Sequence, residues 1–373
     1  MESAQPTVLH VISSLGQLGG GAERQLLLYF QHRSDRWRHL VAYRKPHALL
    51  QEEVARTGVV PVWLGPGGFL RQLARLLRLA RQEHATVIHT HLFEANQLGR
   101  LVGRLLTIPV ITTVTNTLAV EERLVAGDYA LWKYRVSLAL EALTGRWGTT
   151  RFIAISEVVK ASAVATMKVA PSRVDVVYRA VRAETLDGSK AAGGPLLITT
   201  GRLVPHKGQD LLVQMMPDVL AQWPDCCLQV VGDGKARGPL ERLTAQLGIA
   251  SHVQFLGLRR DVHHLLGQAD VYVYASWFEG FANAVAEAIS RGLPVVAVDL
   301  PVFREIAPSS SVLLVERDPQ RFAAAVLAVL ADLDARRAAA AREALRFQER
   351  FSVQRYVRDT EAVYAQAAAV RVP

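Results

Sequence analysis

Leu196-Leu197-Ile198-Thr199-Thr200-Gly201-Arg202-Leu203-Val204-Pro205-His206-Lys207-Gly208 reads as a strand, a turn and the start of a helix. The first five residues are apolar or β-branched, and the run is too short for a buried helix. Gly201 breaks it, and a helix is expected to begin near Gly208. Arg202 and Lys207 fall in the turn, where a forked guanidinium and an ammonium suit a diphosphate. In an open parallel sheet this is the end of the strand where ligands bind.

Reading outward, short β-branched runs keep alternating with longer helical patterns. Downstream, strands are expected at Leu228–Val231, Val253–Leu256, Val271–Tyr274, Pro294–Val298 and Val312–Val315. Upstream they are expected at Thr7–Ser13, His39–Tyr43, Val59–Leu64, Val87–Thr90, Val110–Val114, Phe152–Ile155 and Val174–Val177. Helical patterns cover Ala22–His32, Phe69–Glu83, Ala95–Leu106 and Tyr129–Leu143. Such alternation implies parallel sheets covered by helices on both faces, an α/β class. Ala183–Pro195 is small, flexible and without an apolar period, as a linker would be. With 373 residues the chain exceeds a single core. The expectation is two Rossmann-like domains facing across a cleft, residues 1–185 and 186–352, with a last helix from Val353.

A second stretch carries chemistry: Ser276-Trp277-Phe278-Glu279-Gly280-Phe281-Ala282-Asn283-Ala284-Val285-Ala286-Glu287. A strand ends, a loop carries one carboxylate, and the following helix carries another. At ~1.5 Å rise per residue, Glu287 stands within roughly 8 Å of the helix start. Paired carboxylates accept hydrogen bonds from vicinal diols. Two further features lie in the first half. Gly19-Gly20-Gly21-Ala22-Glu23-Arg24 follows the first strand and reads either as an anion loop or as a plain tight turn. Its spacing is not that of a dinucleotide fold. His89 and His91 end the fourth strand and share a face, as sugar-contacting groups, structural histidines or two metal ligands lacking a third.

Composition narrows the classes. Half the residues are hydrophobic and 21% are charged, which suits packed cores. The two cysteines, Cys226 and Cys227, are adjacent, so neither a disulfide framework nor a zinc cluster is expected. No signal peptide and no apolar run of membrane-spanning length is read, which points to a cytoplasmic protein. The formal net charge is +9, and all of it resides in residues 1–185, with 23 Lys+Arg against 14 Asp+Glu; residues 186–373 carry 20 of each. A one-sided basic field suggests an anionic partner. The Leu/Arg pattern of Gly68–Arg81 reads two ways, as a basic amphipathic helix lying on an anionic membrane or as a helix packing its leucines on the sheet with a solvated arginine face. No nucleic-acid partner is expected, because no binding module or aromatic-basic interleaving occurs.

With these pieces in order, the chain resembles the retaining glycosyltransferases of family 4, over nearly its whole length and most strongly from Gly201 to Val298. Glu279 and Glu287 match the family's E-x7-E motif, and Gly201–Gly208 its G-R-L-x-x-x-K-G motif. Gly20–Arg24 match G-G-A-E-R, and His91-Leu92-Phe93 resembles the H-x-H region. Gly232-Asp233-Gly234 and Phe255-Leu256-Gly257 resemble the GDG and FLG turns. The resemblance implies a GT-B fold, with the final helix crossing back to the first domain. It implies transfer of a hexose-type sugar from a nucleotide diphosphate sugar to a glycan or lipid-linked acceptor, as in cell-surface polysaccharide or lipopolysaccharide synthesis. No cofactor and no divalent metal are expected. Arg202 and Lys207 would neutralise the diphosphate, and Gly201 and Gly232 would line its site. Glu279 would bind sugar hydroxyls and Glu287 the ribose. The backbone of Gly280, Phe281, Ala282 and Asn283 would meet sugar and phosphates, and Leu258 and Arg259 would flank the base. His91 would stand near the sugar, and Gly20, Gly21 and Arg24 near phosphate and acceptor.

Three departures stand out. Ala282 occupies a place where glycine or proline is usual, Tyr178-Arg179-Ala180-Val181 replaces P-N-G-V, and Asp299–Phe303 lacks a glycine pair. A GT-B sugar-nucleotide epimerase and a non-catalytic nucleotide or nucleic-acid binder are the rival readings.

Overall fold

The computed structural model describes residues 5–15, 21–45, 48–118, 131–182, 193–307 and 311–370. The chain divides into two compact units, the second running over Val181–Ser352 and the first taking Ala130–Ala180, the chain before residue 119 and everything from Val353. The expected linker, residues 183–195, and Gly20 of the glycine loop lie mostly or wholly outside the described residues.

The first unit holds a seven-stranded sheet of β1 (Thr7–Ser14), β2 (Arg38–Lys45), β3 (Val60–Trp63), β4 (Ala85–His91), β5 (Val110–Val114), β6 (Arg151–Ala154) and β7 (Val174–Val176), in the order β3-β2-β1-β4-β5-β6-β7. The second holds six, β8 (Leu196–Thr200), β9 (Cys227–Val231), β10 (Val253–Gly257), β11 (Val271–Tyr274), β12 (Val295–Val298) and β13 (Val312–Val315), in the order β10-β9-β8-β11-β12-β13. All pairings are parallel. Each unit is thus a Rossmann-like α/β sheet. In each the strand order reverses beside the first strand, between β1 and β4 and between β8 and β11, and a crevice opens at such a point.

Strand alternation builds two cores in the first unit. Val8, Ile12, Val41, Val87 and Ile111 face the helices Gly21–His32 and Val353–Ala368. Leu9, Val11, Leu40, Ile88 and Val110 face Phe69–Gln82 and Phe93–Leu106. Burial on both faces explains why these strands read as continuous apolar runs. The final helix belongs to this unit, as expected. Its Val357, Val363 and Tyr364 enter the core, and the Glu361 carboxylate accepts bonds from the Ser34 amide at 3.0 Å and hydroxyl at 2.6 Å.

The Phe69–Gln82 helix packs most of its leucines on the sheet and keeps Leu70 exposed beside its arginines. Leu76 is buried, and Leu73, Leu77 and Leu79 pack against the β-sheet core, leaving the arginines outward. Arg75 is spent on the carbonyls of Leu64 and Pro66, at 2.7 and 2.9 Å. In the second unit Cys226 and Cys227 are free thiols, and burial pushes Cys226 up to about 12.

Candidate functional site

The second unit places Lys207 and Glu279 beyond β8 and β11, at the switch point. The Gly201–Gly208 turn is sewn to the loop after β11, because the His206 carbonyl accepts bonds from the Trp277 amide at 2.8 Å and the Ser276 hydroxyl at 3.1 Å. The His206 ring also stacks on Phe278, with centroids 5.0 Å apart. Gly208 makes this contact possible: at φ +65 a Cβ there would stand 2.0 Å from the Ala275 carbonyl oxygen. Gly232, at the end of β9, is equally constrained, since a Cβ would lie 1.9 Å from the Gly201 oxygen. Both positions require glycine for backbone approach.

Those contacts bring Lys207 onto Glu279. The ammonium pairs with Glu279 Oε1 and also donates to the Tyr274 hydroxyl at 3.0 Å. Tyr274 in turn donates to the same Oε1 at 2.5 Å. Burial pushes the Glu279 carboxyl up, but the Lys207 charge and these hydrogen bonds outweigh it and hold the group below the usual range. Burial, followed by the Glu279 charge, raises Tyr274 well above an ordinary phenol. The site therefore holds an ionised carboxylate with its counter-cation in a largely dry place.

The other expected residues fall around this cluster to different degrees. Arg202 is exposed, with its carbonyl fixed by the Gln209 side chain at 3.1 Å. Glu287 is half-buried on the helix Asn283–Ser290; burial, and then the charges of Glu287 and Glu279, raise the buried Tyr272. Gly280 is buried. Phe281 is a core side chain, edge-on to Phe351 at 5.3 Å, so only its backbone is available to a ligand. Ala282 adopts φ 54 and ψ 68, a left-handed conformation at the foot of the helix, and Asn283 opens that helix. Gly201 closes β8 on the Val231 carbonyl at 2.9 Å. Leu258 and Arg259 follow the edge strand β10, two strands from β8, and Arg259 is committed to Asp261 at 2.6 and 2.8 Å. Sequence reasoning missed Tyr274 and Arg317. The Arg317 guanidinium stacks 3.8 Å over Trp277, donates to the Ala275 carbonyl and is pulled down by burial to about 10.

The first unit gathers a layer of histidines at its own switch point. His10 on β1 pairs in register with His89 on β4, and His39 and His91 lie on the same sheet face. His10 Nδ1 meets His91 Nε2 at 3.4 Å, and His10 Nε2 meets His39 Nδ1 at 3.1 Å. His39 reaches the Tyr29 hydroxyl at 3.5 Å, and the Tyr29 and Tyr364 rings meet edge to face with centroids 6.1 Å apart. The Tyr364 hydroxyl meets His89 Nδ1 at 2.9 Å, and His89 Nε2 meets the Thr113 hydroxyl at 2.7 Å. The layer thus runs from His91 to Thr113, and both line one cavity with Ala22, Gln25 and Arg179. Burial, then the Arg179 charge, pushes His91 down to about 3; burial, then Arg33, does the same to His39. His10 and His89 are also held well below the usual value, first by burial. All four are neutral at ordinary pH, so each must donate from one nitrogen and accept at the other.

The sequence reading found no third metal ligand beside His89 and His91; the fold supplies one in His10, with ligand atoms of the three within 4.8 Å of one another. These three could hold a metal only by giving up the bonds just described. Leu92, directly after His91, has φ 72, a strained conformation that turns the chain into the helix Phe93–Leu106. Gly21 starts the helix Gly21–His32, and Arg24 is exposed one turn on. Arg179, one of the sequence departures, is thus a cavity residue that motif matching passed over.

Residues 19–185 match the family model described as Glycosyltransferase Family 4, and residues 194–332 match the model Glycosyl transferases group 1. Among curated relatives, an uncharacterized glycosyltransferase of Methanocaldococcus jannaschii is 33% identical over 104 residues, 28% of this chain and 26% of that protein. A UDP-Gal:alpha-D-GlcNAc-diphosphoundecaprenol alpha-1,3-galactosyltransferase of Escherichia coli is 24% identical over 246 residues, 62% of either chain. The chain therefore spans less than two thirds of the length of these relatives. The crystal structure of Anabaena Alr3699/HepE with UDP and glucose shares the fold, with a TM-score of 0.83 at 20% identity, over 96% of this chain and 99% of that one.

Proposed function

Because this chain belongs to the family-4 type of GT-B glycosyltransferases, we propose that it transfers a sugar from a nucleotide diphosphate donor to a glycan or lipid-linked acceptor, with retention at the anomeric carbon. The observation that carries this reading is the Lys207–Glu279–Tyr274 cluster at the β8/β11 switch point. It offers a cation for a diphosphate and an ionised carboxylate for sugar hydroxyls in one partly dry site. UDP and glucose in the HepE crystal, and the diphosphoundecaprenol substrate in the name of the Escherichia coli relative, support the donor and acceptor classes. A role in cell-surface polysaccharide or lipopolysaccharide synthesis follows from that acceptor class.

In this reading Arg202 and Lys207 take up the charge on the departing diphosphate, and Glu287 holds the ribose. The acceptor oxygen bonds to the anomeric carbon on the face the phosphate leaves, the carbon–phosphate-oxygen bond breaks, and the acceptor proton passes to the phosphate oxygen. Neither glutamate forms a covalent bond. The neutral His91 holds a sugar hydroxyl. The protein contributes positioning and electrostatic stabilisation, and side-chain cations make a divalent metal unnecessary.

A thermal-shift panel of nucleoside diphosphates and their sugars identifies the donor, since a bound ligand raises apparent stability. Proton NMR of the product then gives the anomer. Absence of any shift with every nucleotide overturns the donor reading. An inverted product overturns retention, and loss of turnover in EDTA overturns the metal-free step.

A further inference from the structure

The helix Leu131–Gly148 has an apolar face that nothing among the described residues covers. Trp132, Val136, Leu140, Leu143 and Trp147 are all exposed, Trp132 by 65%, Leu143 by 62% and Trp147 by 54%. At 3.6 residues per turn these five fall within an arc of about 80°, and the stripe runs roughly 22 Å along the helix. The opposite face does the packing: Glu141, Ala142 and Gly145 are buried, and Glu141 is paired with the buried Arg100 at 2.6 Å. Leu105, on the neighbouring helix Phe93–Leu106, is also exposed, and Arg104 beside it lies 5.8 Å over the Trp147 ring. An apolar stripe of this size on a protein surface marks an interaction site rather than a core.

Charge identifies the partner. Arg135 and Arg146 border the stripe on one side and Lys133 on the other; Lys133 lies 5.6 Å over the Trp132 ring. The helix has a single acid, Glu141, which faces inward, so its outer side carries only cations and apolar groups. Indole rings at both ends of an apolar stripe, with basic residues along its borders, suit the headgroup region of an anionic bilayer. We propose that this face docks the first unit onto an anionic lipid surface, with the helix in the plane of the interface and its stripe among the upper acyl carbons. This surface is separate from the Phe69–Gln82 helix, which packs Leu73, Leu76, Leu77 and Leu79 on the core. The inference rests on the exposed face and its charge, not on the transfer reaction.

The test is co-sedimentation of the full chain with vesicles of phosphatidylcholine alone and with about one third phosphatidylglycerol, at low and high salt. Binding to the anionic vesicles is expected, weakened but not abolished by salt, with a blue-shifted tryptophan emission. Leu140→Ser with Leu143→Ser should weaken it about ten-fold or more. Both positions are exposed, and an unchanged melting temperature and nucleotide shift confirm that the variant folds. Leu70→Ser, on the Phe69–Gln82 helix, should bind as the parent does. Equal binding by parent and double variant overturns the proposal, as does absence of binding to either vesicle. A self-association in light scattering that the double variant loses overturns it in favour of a second copy of this chain. Any of these results leaves the donor assignment standing, and a failed donor panel leaves this one standing.

Discussion

Lys207 donates to the Tyr274 hydroxyl at 3.0 Å, and the two meet again on one oxygen, Oε1 of Glu279, to which the tyrosine donates at 2.5 Å. The three come from the turn after β8 and the end and loop of β11, and the fold joins them across the strand-order reversal. Each partner favours the ionised carboxylate, so the site is organised before a ligand arrives. Such preorganisation costs no rearrangement when charge develops.

Lys207→Ala should lower turnover on the order of 10²–10³-fold. It should also destabilise the fold by about 3 kcal/mol, because Glu279 is left buried without its cation. Adding Glu279→Gln should restore much of the stability and none of the activity. Urea unfolding and initial rates on the four proteins of the cycle check this. Undiminished transfer in Lys207→Ala sinks the assignment.

Ala282→Gly should raise stability by about 1 kcal/mol and leave donor affinity within a factor of two. Ala282 sits at φ 54, where an L side chain is strained and glycine is not. Calorimetry of the single variant reads this directly. A drop in melting temperature means that packing of the methyl group, which is buried, outweighs the strain.

Much of this arrangement was legible in the chain. The strands stood out as short apolar or β-branched runs, so β5, β8, β11 and β13 end where those runs end. The Arg202–Lys207 and Glu279–Glu287 spacings were legible because one lies within a turn and the other within a loop and the helix that follows it. What escaped needed sheet order. His10 and His39 come from β1 and β2, and only the order β2-β1-β4 brings them to His89 and His91. Tyr274 reads as one more apolar strand residue until its hydroxyl is seen at Glu279. Periodicity found amphipathic helices but not which side each turns inward. Phe69–Gln82 packs Leu73, Leu76, Leu77 and Leu79 on the core, whereas Leu131–Gly148 turns Leu140, Leu143, Trp132 and Trp147 out.

Stability should fall as pH drops below about 6.5, before any carboxylate titrates. His39 and His91 have folded values of about 3, against ~6.5 in an unfolded chain. Between those values the unfolded state binds protons that the folded state refuses, so stability rises with pH there. Each such histidine contributes a slope of up to about 1.4 kcal/mol per pH unit, fully relieved above the unfolded value. Melting temperature measured from pH 5 to 8 should therefore bend downward below about 6.5. His39→Phe should flatten the bend, even if it lowers the plateau. A level profile across the range removes the neutral histidine layer.

Arg100→Leu should be among the most destabilising single changes in the first unit, at about 3–5 kcal/mol. Arg100 is 1% exposed and is held by Glu141 Oε1 at 2.6 Å, by the hydroxyls of Thr149 and Thr144 at 2.8 Å each, and by the Glu141 carbonyl at 3.3 Å. Glu141 also accepts from Asn96 at 2.9 Å and Gln97 at 3.1 Å. Burial pulls the guanidinium below its usual value, and the Glu141 charge pulls it back. Removing the arginine alone strands the carboxylate, whereas Arg100→Leu with Glu141→Leu removes both charges and should recover at least half of the loss. This pair fastens Leu131–Gly148 to Phe93–Leu106 and so fixes which face of the helix is turned outward. Urea midpoints of the single and double variants decide the matter: equal losses in both mean that the ion pair is not what holds the helix down.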